Sequence, residues 1–346
     1  MQFRGIGHLK ISRVSVRSLS SQNNTISLNI NSEELLKLRG TTYQFSYTFK
    51  LFPPAGREMA AAKRIVVAGG SGFLGSRICK SAVARGWEVV SLSRHGEPAW
   101  DTITSSPQPP QWAKSVEWAK ADILKPATYK PFLKYTSAVV HSMGILLEAD
   151  YKGILQGRES IVSGLRKIFA PSRPGSQNPL QRKEGEELLS GESGGQLTYE
   201  LMNRDSVVAL AQEASYEHVP TFVFISAAAG APMVPERYLT TKRDAEALIS
   251  SNLSDLRSIF MRPTFMYDSS RKLTLPIALG GIVGSEVNGL LGGRLSSLGM
   301  MTAKPLNVNI VGEAVVEAIG DDDVQGVVGL KKIETLATKG WRRSML

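Results

Sequence analysis

Cysteine and histidine are scarce in this sequence. The 346 residues include one cysteine, Cys79, and four histidines that are scattered along the chain. A single cysteine excludes an intramolecular disulfide and any cysteine-cluster zinc or iron–sulfur site. The histidines do not have the spacing of metal ligands. We therefore predict that the protein has no metal centre; the alternative is a magnesium ion bound by carboxylates.

Long apolar runs are also missing. The best one covers 273–285, between Lys272 and Glu286. A helix that spans a bilayer needs about 20 apolar residues, so we predict no transmembrane helix. The run is rich in glycine and its apolar character continues to Met301. Such a region would suit a hydrophobic ligand or a membrane surface.

The basic charge is concentrated near the N-terminus. Residues 1–58 hold 8 Lys/Arg against 3 Asp/Glu, whereas the remaining 288 residues hold 33 against 28. Nucleic-acid binding needs basic charge clustered on one face, and no such cluster accompanies aromatic residues. A role in RNA binding would rest on the pI of 9.6 alone, so we predict no nucleic-acid partner.

The first 32 residues are basic, rich in serine and free of acids. This composition is typical of a mitochondrial transit peptide; the alternative is a disordered basic tail. Met59 stands just before the first convincing strand and is an alternative initiator to Met1. We predict that 1–58 is a transit peptide or poorly ordered extension and that 59–346 is a single domain.

A nucleotide-binding motif opens this domain. The β-branched run 64–68 leads into Gly69-Gly70-Ser71-Gly72-Phe73-Leu74-Gly75, an amphipathic stretch follows, and 87–92 has the pattern of a second strand. Strand, glycine turn, helix and strand form a βαβ unit. Glycines let the backbone approach a pyrophosphate, which the helix N-terminus then binds. The pattern predicts a Rossmann-type doubly wound parallel sheet; the alternative is a structural turn without ligand.

The end of the second strand indicates which dinucleotide is bound. An NAD site usually has an acidic residue there, on the ribose hydroxyls, but no acid occurs before Glu97. Ser93 and Arg94 occupy the position instead, and arginine binds phosphate well. We therefore favour NADP(H) over NAD(H), although Arg94 could simply be a solvated surface residue. Asp122, at the end of a third strand, is expected near the adenine.

A second group of residues predicts the chemistry. Ser226 ends a strand, and 12 residues later Tyr238 and Lys242 have the i, i+4 spacing of one helix face. A nearby ammonium lowers the pKa of a phenol, so Tyr238 could exchange a proton with a substrate oxygen while Ser226 orients it. The alternative for Tyr238 and Lys242 is an exposed helix pair.

The order of these motifs resembles the extended or atypical branch of the short-chain dehydrogenase/reductase superfamily over roughly 63–330. Asn203 resembles the helix asparagine of these enzymes, and Arg262-Pro263-Thr264-Phe265-Met266-Tyr267 resembles their sixth-strand segment. Within the superfamily, the chain is similar to a fungal mitochondrial group of coenzyme Q biosynthesis. This similarity lies in 139–148, in 260–266 and in the segment that begins at Tyr238. That group is related to the nucleotide-binding accessory subunit of respiratory complex I.

Together these observations give the predicted site. The catalytic residues are Ser226, Tyr238 and Lys242. The cofactor contacts come from the glycine turn, from the ends of the strands that follow it and from two motifs later in the chain. They are Gly69, Ser71, Gly72, Phe73, Leu74, Gly75, Ser93, Arg94, Asp122, Ile123, His141, Ser142, Lys242, Arg262 and Pro263. We predict that 171–198, rich in Pro, Gly and Ser, is a flexible insertion and that 270–305 forms a small substrate-side region.

The resemblance implies an NADP(H)-dependent oxidoreductase that acts on a hydrophobic intermediate of ubiquinone synthesis. It also implies a location on the matrix side of the mitochondrial inner membrane, with peripheral membrane contact and other coenzyme Q proteins as partners. The alternative that it leaves open is a non-catalytic, nucleotide-binding subunit of an inner-membrane complex.

Overall fold

The computed structural model describes residues 16–22, 25–30, 63–104, 106–144, 179–188, 198–228, 236–268 and 304–345. By its internal contacts the chain divides into two compact units, Met1–Ala61 and Ala62–Leu346. In the first unit, strands β1 (Val16–Gln22) and β2 (Thr25–Ile30) pair antiparallel. The rest of 1–58 lies outside the described residues, and the assignment of 1–58 as a transit peptide or poorly ordered extension stays a prediction.

The second unit contains a seven-stranded sheet in which every neighbouring pair is parallel. Its strands, in chain order, are β3 (Arg64–Ala68), β4 (Glu88–Ser93), β5 (Val116–Lys120), β6 (Ala138–His141), β7 (Thr221–Ile225), β8 (Arg257–Met261) and β11 (Gly326–Val328). Two short strands, β9 (Met266–Tyr267) and β10 (Leu306–Asn307), pair with each other outside this sheet.

The helices follow the strands. They are α1 (Gly75–Ala84), α2 (Pro126–Leu133), α3 (Ser206–Tyr216), α4 (Glu236–Asn252), α5 (Val308–Gly320) and α6 (Leu330–Ser344). Helix α1 ends as predicted, because Gly86 has φ +72° and its N–H donates to the carbonyl of Val83 at 2.9 Å. Left-handed glycine just past the last turn is a common helix stop.

Side-chain alternation along the strands divides the core into two layers. In β3, Ile65 and Val67 face α1, α5 and α6, whereas Val66 and Ala68 face α2, α3 and α4. Successive strand residues point to opposite faces, so a strand that is apolar throughout needs helices on both sides. The predicted Rossmann-type, doubly wound α/β fold is confirmed. The predicted substrate-side region, 270–305, lies almost entirely outside the described residues.

The order of the strands locates the site. Across the sheet the order is β11-β8-β7-β6-β3-β4-β5. The chain moves from β3 toward β5 on one side and then crosses to β6 on the other, so β3 and β6 flank the switch point. Ligands of open α/β sheets bind at the carboxyl ends of the strands beside this point.

Part of the segment predicted to be a flexible insertion is packed. Residues 179–188 lie against α3, where Arg182, 8% exposed, forms an ion pair of 2.9 Å with the fully buried Glu213. Leu188 is also buried. A buried charge and its partner therefore hold 179–188 against α3. Residues 171–178 and 189–197 lie outside the described residues, and the flexible insertion stays a prediction.

Candidate functional site

The glycine-rich turn connects β3 to α1 at the switch point. Gly69 has φ +83°, and a Cβ there would lie 2.6 Å from the Met143 side chain. A Cβ on Gly75 would lie 2.1 Å from the carbonyl oxygen of Gly69. Both positions therefore require glycine so that the start of α1 can approach the turn and the turn can approach the end of β6.

Gly72 differs from these two glycines. It is exposed, and a Cβ there would contact only the Gly69 carbonyl oxygen, at 3.0 Å. The neighbouring Ser71 and Phe73 are half-buried. The open side of the turn thus faces outward at the N-terminus of α1, where the positive end of the helix dipole attracts an anion. This cradle fits a dinucleotide pyrophosphate. Leu74 is buried in the core and positions the turn.

The predicted NADP determinants behave differently from each other. Arg94 is exposed and has no side-chain partner within the part of the chain that the structure describes. The hydroxyl of Ser93 donates a 2.8 Å hydrogen bond to the carbonyl of Gly96. Because a hydroxyl has a single proton, Ser93 cannot donate to a phosphate while this bond is made.

Asp122 and Ile123 lie just after β5 rather than within a strand. The Asp122 carboxylate accepts a hydrogen bond of 3.1 Å from the N–H of Leu124, and Ile123 is buried among the residues that face α2 and α3. Asp122 is half-buried and remains a candidate for the adenine side. The side chain of Ile123 instead contributes to packing.

His141 lies beneath the site. Its imidazole is fully buried, and Nε2 lies 3.2 Å from the Ser206 hydroxyl oxygen, which donates to the carbonyl of Met202 at 2.9 Å. Burial, with a smaller contribution from the charge of Lys242, lowers the pKa of His141 to about 3, so the ring is neutral. The buried ring therefore packs beneath the site, and its contact with the cofactor stays a prediction.

Ser142 and Gly144 follow His141 toward the crevice. The Ser142 hydroxyl donates to the carbonyl of Ala68 at 2.8 Å, which ties β6 to the glycine turn. Gly144 is exposed, and a Cβ there would lie 3.0 Å from Oδ1 of Asn203 and 3.4 Å from Nζ of Lys242. The tertiary structure thus brings together residues that are far apart in sequence.

Asn203 occupies a π-helical segment, Glu200–Asp205, directly before α3. Short π-helical stretches are frequent at functional sites. Asn203 is fully buried. The sequence offered only its similarity to the superfamily's helix asparagine, because the π-helical turn has no recognisable local pattern.

Lys242 is the best-defined residue of the site. It is 2% exposed, and its ammonium donates a 2.8 Å hydrogen bond to the carbonyl of Ile225. Nζ also lies 5.4 Å from the centroid of the Tyr238 ring. Burial lowers the pKa of Lys242 to about 7, although the Glu246 carboxylate opposes this shift. A buried lysine in a crevice, with a pKa shifted to near neutral pH, is a candidate functional group.

The predicted effect of Lys242 on Tyr238 is wrong. Burial raises the pKa of Tyr238 to about 12, and the neighbouring Tyr199, whose ring centroid is 6.1 Å away, raises it further. The desolvation penalty on a phenolate exceeds the stabilisation that a nearby cation provides. Tyr238 therefore stays protonated across the physiological range.

Ser226, which directly follows β7, is buried and accepts a 2.9 Å hydrogen bond from Nη1 of Arg243. Arg262 contacts Glu246 of α4, and the carbonyl of Pro263 accepts a 2.8 Å hydrogen bond from Ala228. The sequence analysis missed Arg243 and Glu246. Their i, i+3 spacing immediately after Lys242 was the available signal.

Three further observations concern membranes, metals and relatives. Among the described residues, no helix has the length and apolarity to cross a bilayer. Within the same residues, no three His, Cys, Asp or Glu side chains converge as metal ligands. Residues 65–148, which hold the glycine turn, match the NAD dependent epimerase/dehydratase family.

A curated relative extends the match over the whole domain. MIOREX complex component 2 of Saccharomyces cerevisiae is 33% identical over 289 residues, which cover 78% of this chain and 98% of the yeast protein. The chain belongs to the family of this yeast protein, and its residues 65–148 are of the NAD dependent epimerase/dehydratase type. The predicted superfamily is confirmed.

More distant proteins share parts of this similarity. An uncharacterized chloroplastic protein of Arabidopsis thaliana is 25% identical over 290 residues, which are 80% of this chain and 78% of that protein. Among solved structures, the UDP-glucuronic acid 4-epimerase of Bacillus cereus in complex with NAD covers 77% of this chain and 76% of its own. It is 15% identical, with a TM-score of 0.46.

Proposed function

We propose that this protein is a nicotinamide-nucleotide-dependent oxidoreductase that reduces a carbonyl or quinone-type substrate. The observation that carries this proposal is the position of Lys242. Its buried ammonium lies beside Tyr238, Gly144 and Asn203 and is bonded to the strand end that precedes Ser226. Burial makes the charge of a lysine unfavourable, which supports a functional role beyond a structural one.

The nucleotide would bind across the glycine turn. Gly72 and the N-terminus of α1 would hold the pyrophosphate, and Arg94 would hold the 2′-phosphate of NADP(H). The exposed, unpaired guanidinium supports this preference, since its planar donors match phosphate geometry. When bound, the nicotinamide supplies the hydride for the reduction.

The protein side chains would supply the proton. Because the pKa of Tyr238 is raised to about 12, its phenol is a proton donor at neutral pH rather than a base. Tyr238 would donate its proton to the substrate oxygen as that carbonyl is reduced, and Ser226 would hydrogen-bond the same oxygen.

The biological setting is the mitochondrion, in ubiquinone biosynthesis on the matrix side of the inner membrane. The basic, acid-free residues 1–32 support import, and the similarity to the fungal coenzyme Q group supports the pathway. The apolar composition of 273–301 supports a hydrophobic substrate. The yeast relative is named as a component of a complex, which supports protein partners and peripheral membrane association.

A second candidate function is a non-catalytic, nucleotide-binding subunit of a mitochondrial complex. The observation that favours it is the relative's name, which is that of a component of a complex. A fold of this type can keep its cofactor as a structural element, because function resides in the site and not in the fold.

Two experiments separate these functions. Full-length protein is titrated with NADPH and NADH while nicotinamide fluorescence is followed, with Arg94→Ala as the variant and Arg342→Ala, another exposed arginine, as its control. We expect tight NADPH binding that weakens at least tenfold in Arg94→Ala only. If neither nucleotide binds to folded protein, the oxidoreductase proposal is wrong.

The second experiment replaces Tyr238 by Phe. The variant should bind NADPH as the wild type does but should lose ubiquinone synthesis when it is the only copy in cells. Normal ubiquinone levels with intact nucleotide binding would reject the enzyme and favour the non-catalytic subunit.

A further inference from the structure

Arg243 occupies a position that the nucleotide site does not explain. Its Nη1 donates to the Ser226 hydroxyl oxygen at 2.9 Å and to Oε1 of Glu246 at 2.8 Å, and its Nη2 donates to the carbonyl of Ala227 at 2.6 Å. The side chain is 29% exposed. The guanidinium is therefore fixed at the carboxyl end of β7, beside the serine that orients the substrate, and part of it faces solvent.

The charges around Arg243 do not balance. Glu246, 5% exposed, is shared between Arg243 and Arg262, and the Arg262 side chain is 28% exposed. Neither arginine pairs with any other carboxylate among the residues described here. Two guanidiniums thus share one carboxylate, and the adjacent residue, Lys242, is not an acid that could balance the second one. The cluster carries a net positive charge beside Ser226.

The hydrogen-bond donors are also incompletely used. A guanidinium has five N–H groups, and Arg243 uses both on Nη1 and one on Nη2. Within the described part of the chain, its Nε–H and second Nη2–H have no acceptor. A partly exposed guanidinium with spare donors and uncompensated charge matches the planar oxygen pair of a carboxylate or the oxygens of a phosphate.

We propose that Arg243, supported by Arg262, forms a binding subsite for an oxyanion group of the substrate, a carboxylate or a phosphate, next to the oxygen that Ser226 contacts. This inference rests on the proposed function and narrows its substrate to a molecule that carries both a reducible carbonyl and an anionic group. The bond from Arg243 also fixes the Ser226 oxygen as an acceptor, which leaves the serine proton free to point toward the substrate.

The test uses three probes that share one ring: benzoate, phenyl phosphate and the neutral benzamide. Their binding to full-length protein is measured by calorimetry, with and without NADPH, for the wild type, Arg243→Gln and the control Arg342→Gln. We expect benzoate or phenyl phosphate to bind at least tenfold more tightly than benzamide. This preference should vanish in Arg243→Gln and persist in Arg342→Gln. The stronger of the two anions identifies the group as carboxylate or phosphate.

The inference is overturned by equal binding of benzoate, phenyl phosphate and benzamide. It is also overturned if Arg243→Gln keeps the preference, because the anions then bind elsewhere on this basic protein. If circular dichroism shows that Arg243→Gln does not fold, Arg243→Lys replaces it. This variant keeps the charge but lacks the planar donor pair. We expect it to bind the anions at least fivefold more weakly than the wild type, and unchanged anion binding would overturn the inference.

These outcomes are distinct from failure of the proposed function. NADPH binding measured in the same protein reports on the glycine turn, which does not contain Arg243, the residue that the test replaces. If the protein binds NADPH but does not prefer anions, only the proposed subsite is rejected. If it prefers anions but does not bind NADPH, the subsite stands and the oxidoreductase proposal is rejected.

Discussion

The ammonium of Lys242 donates a 2.8 Å hydrogen bond to the carbonyl oxygen of Ile225, the last residue of β7. This bond joins α4 to the end of a central strand and fixes the lysine directly beside Ser226. The same contact therefore contributes to stability and positions a functional group.

The burial of Lys242 predicts a pH-dependent stability. Its pKa in the folded protein is about 7, below the ordinary 10.5. Between these values the unfolded chain binds more protons than the folded one, so this lysine makes stability rise as the pH increases from 7 toward 10.5. The slope is at most about 1.4 kcal/mol per pH unit. Urea unfolding between pH 6.5 and 10 should show this contribution.

Two variants isolate the contribution of Lys242 to the pH dependence of stability. Lys242→Met should remove the rise, whereas Lys80→Met, on an exposed lysine of α1, should leave it unchanged. If the difference in unfolding free energy between the wild type and Lys242→Met does not vary over this pH range, Lys242 is not desolvated as described.

The close contact of Gly75 with the Gly69 carbonyl predicts a large loss of stability. A Cβ at position 75 would lie 2.1 Å from that oxygen, so Gly75→Ala must displace either the turn or the start of α1. Overpacking of this kind costs about 3 kcal/mol. Gly329→Ala is the control, because nothing lies within 4 Å of its Cβ, and it should change the unfolding free energy by less than about 0.5 kcal/mol. Equal effects in urea unfolding would contradict the argument.

Gly72 should affect nucleotide binding more than stability. Its Cβ would meet only the Gly69 carbonyl, at 3.0 Å, and would otherwise point out of the turn. Gly72→Ala should therefore cost less stability than Gly75→Ala but should block the approach of a pyrophosphate. We expect at least tenfold weaker NADPH binding by fluorescence titration. Unchanged affinity in a folded variant would mean that the phosphates do not bind at this turn.

The ion pair of Arg182 and Glu213 should hold 179–188 in place. Both side chains are buried, at 2% and 0% exposure, so Arg182→Ala leaves a carboxylate without its main partner inside the protein. Breaking a buried pair from one side costs about 3–5 kcal/mol. Limited proteolysis should also cleave near 179–188 more quickly.

A surface pair provides the control. Lys125 and Glu187 connect the same segment to the fold, but both are half exposed and 3.6 Å apart. Lys125→Ala should cost less than about 1 kcal/mol. Comparable losses in Lys125→Ala and Arg182→Ala would show that burial does not set the strength of the Arg182 pair.

Local patterns predicted the parts of the fold that depend on local physics. The β-branched run 64–68 became β3, Gly86 ended α1 with a positive φ, and Thr221–Ile225 formed β7 just before Ser226. Composition also indicated two faces covered by helices, since strands such as β3 are apolar at consecutive positions. For Asp122, which lies just past β5, the strand boundary was displaced by a few residues.

By itself the sequence determined the Rossmann-type fold, the glycine turn and the identity of the residues after each strand, because turn geometry and side-chain periodicity act over a few residues. Only the tertiary structure decided how those residues are used. It buried His141 against Ser206, raised the pKa of Tyr238 and joined Arg243 to Ser226. Desolvation and contacts between distant segments depend on the packed environment, which no local pattern specifies.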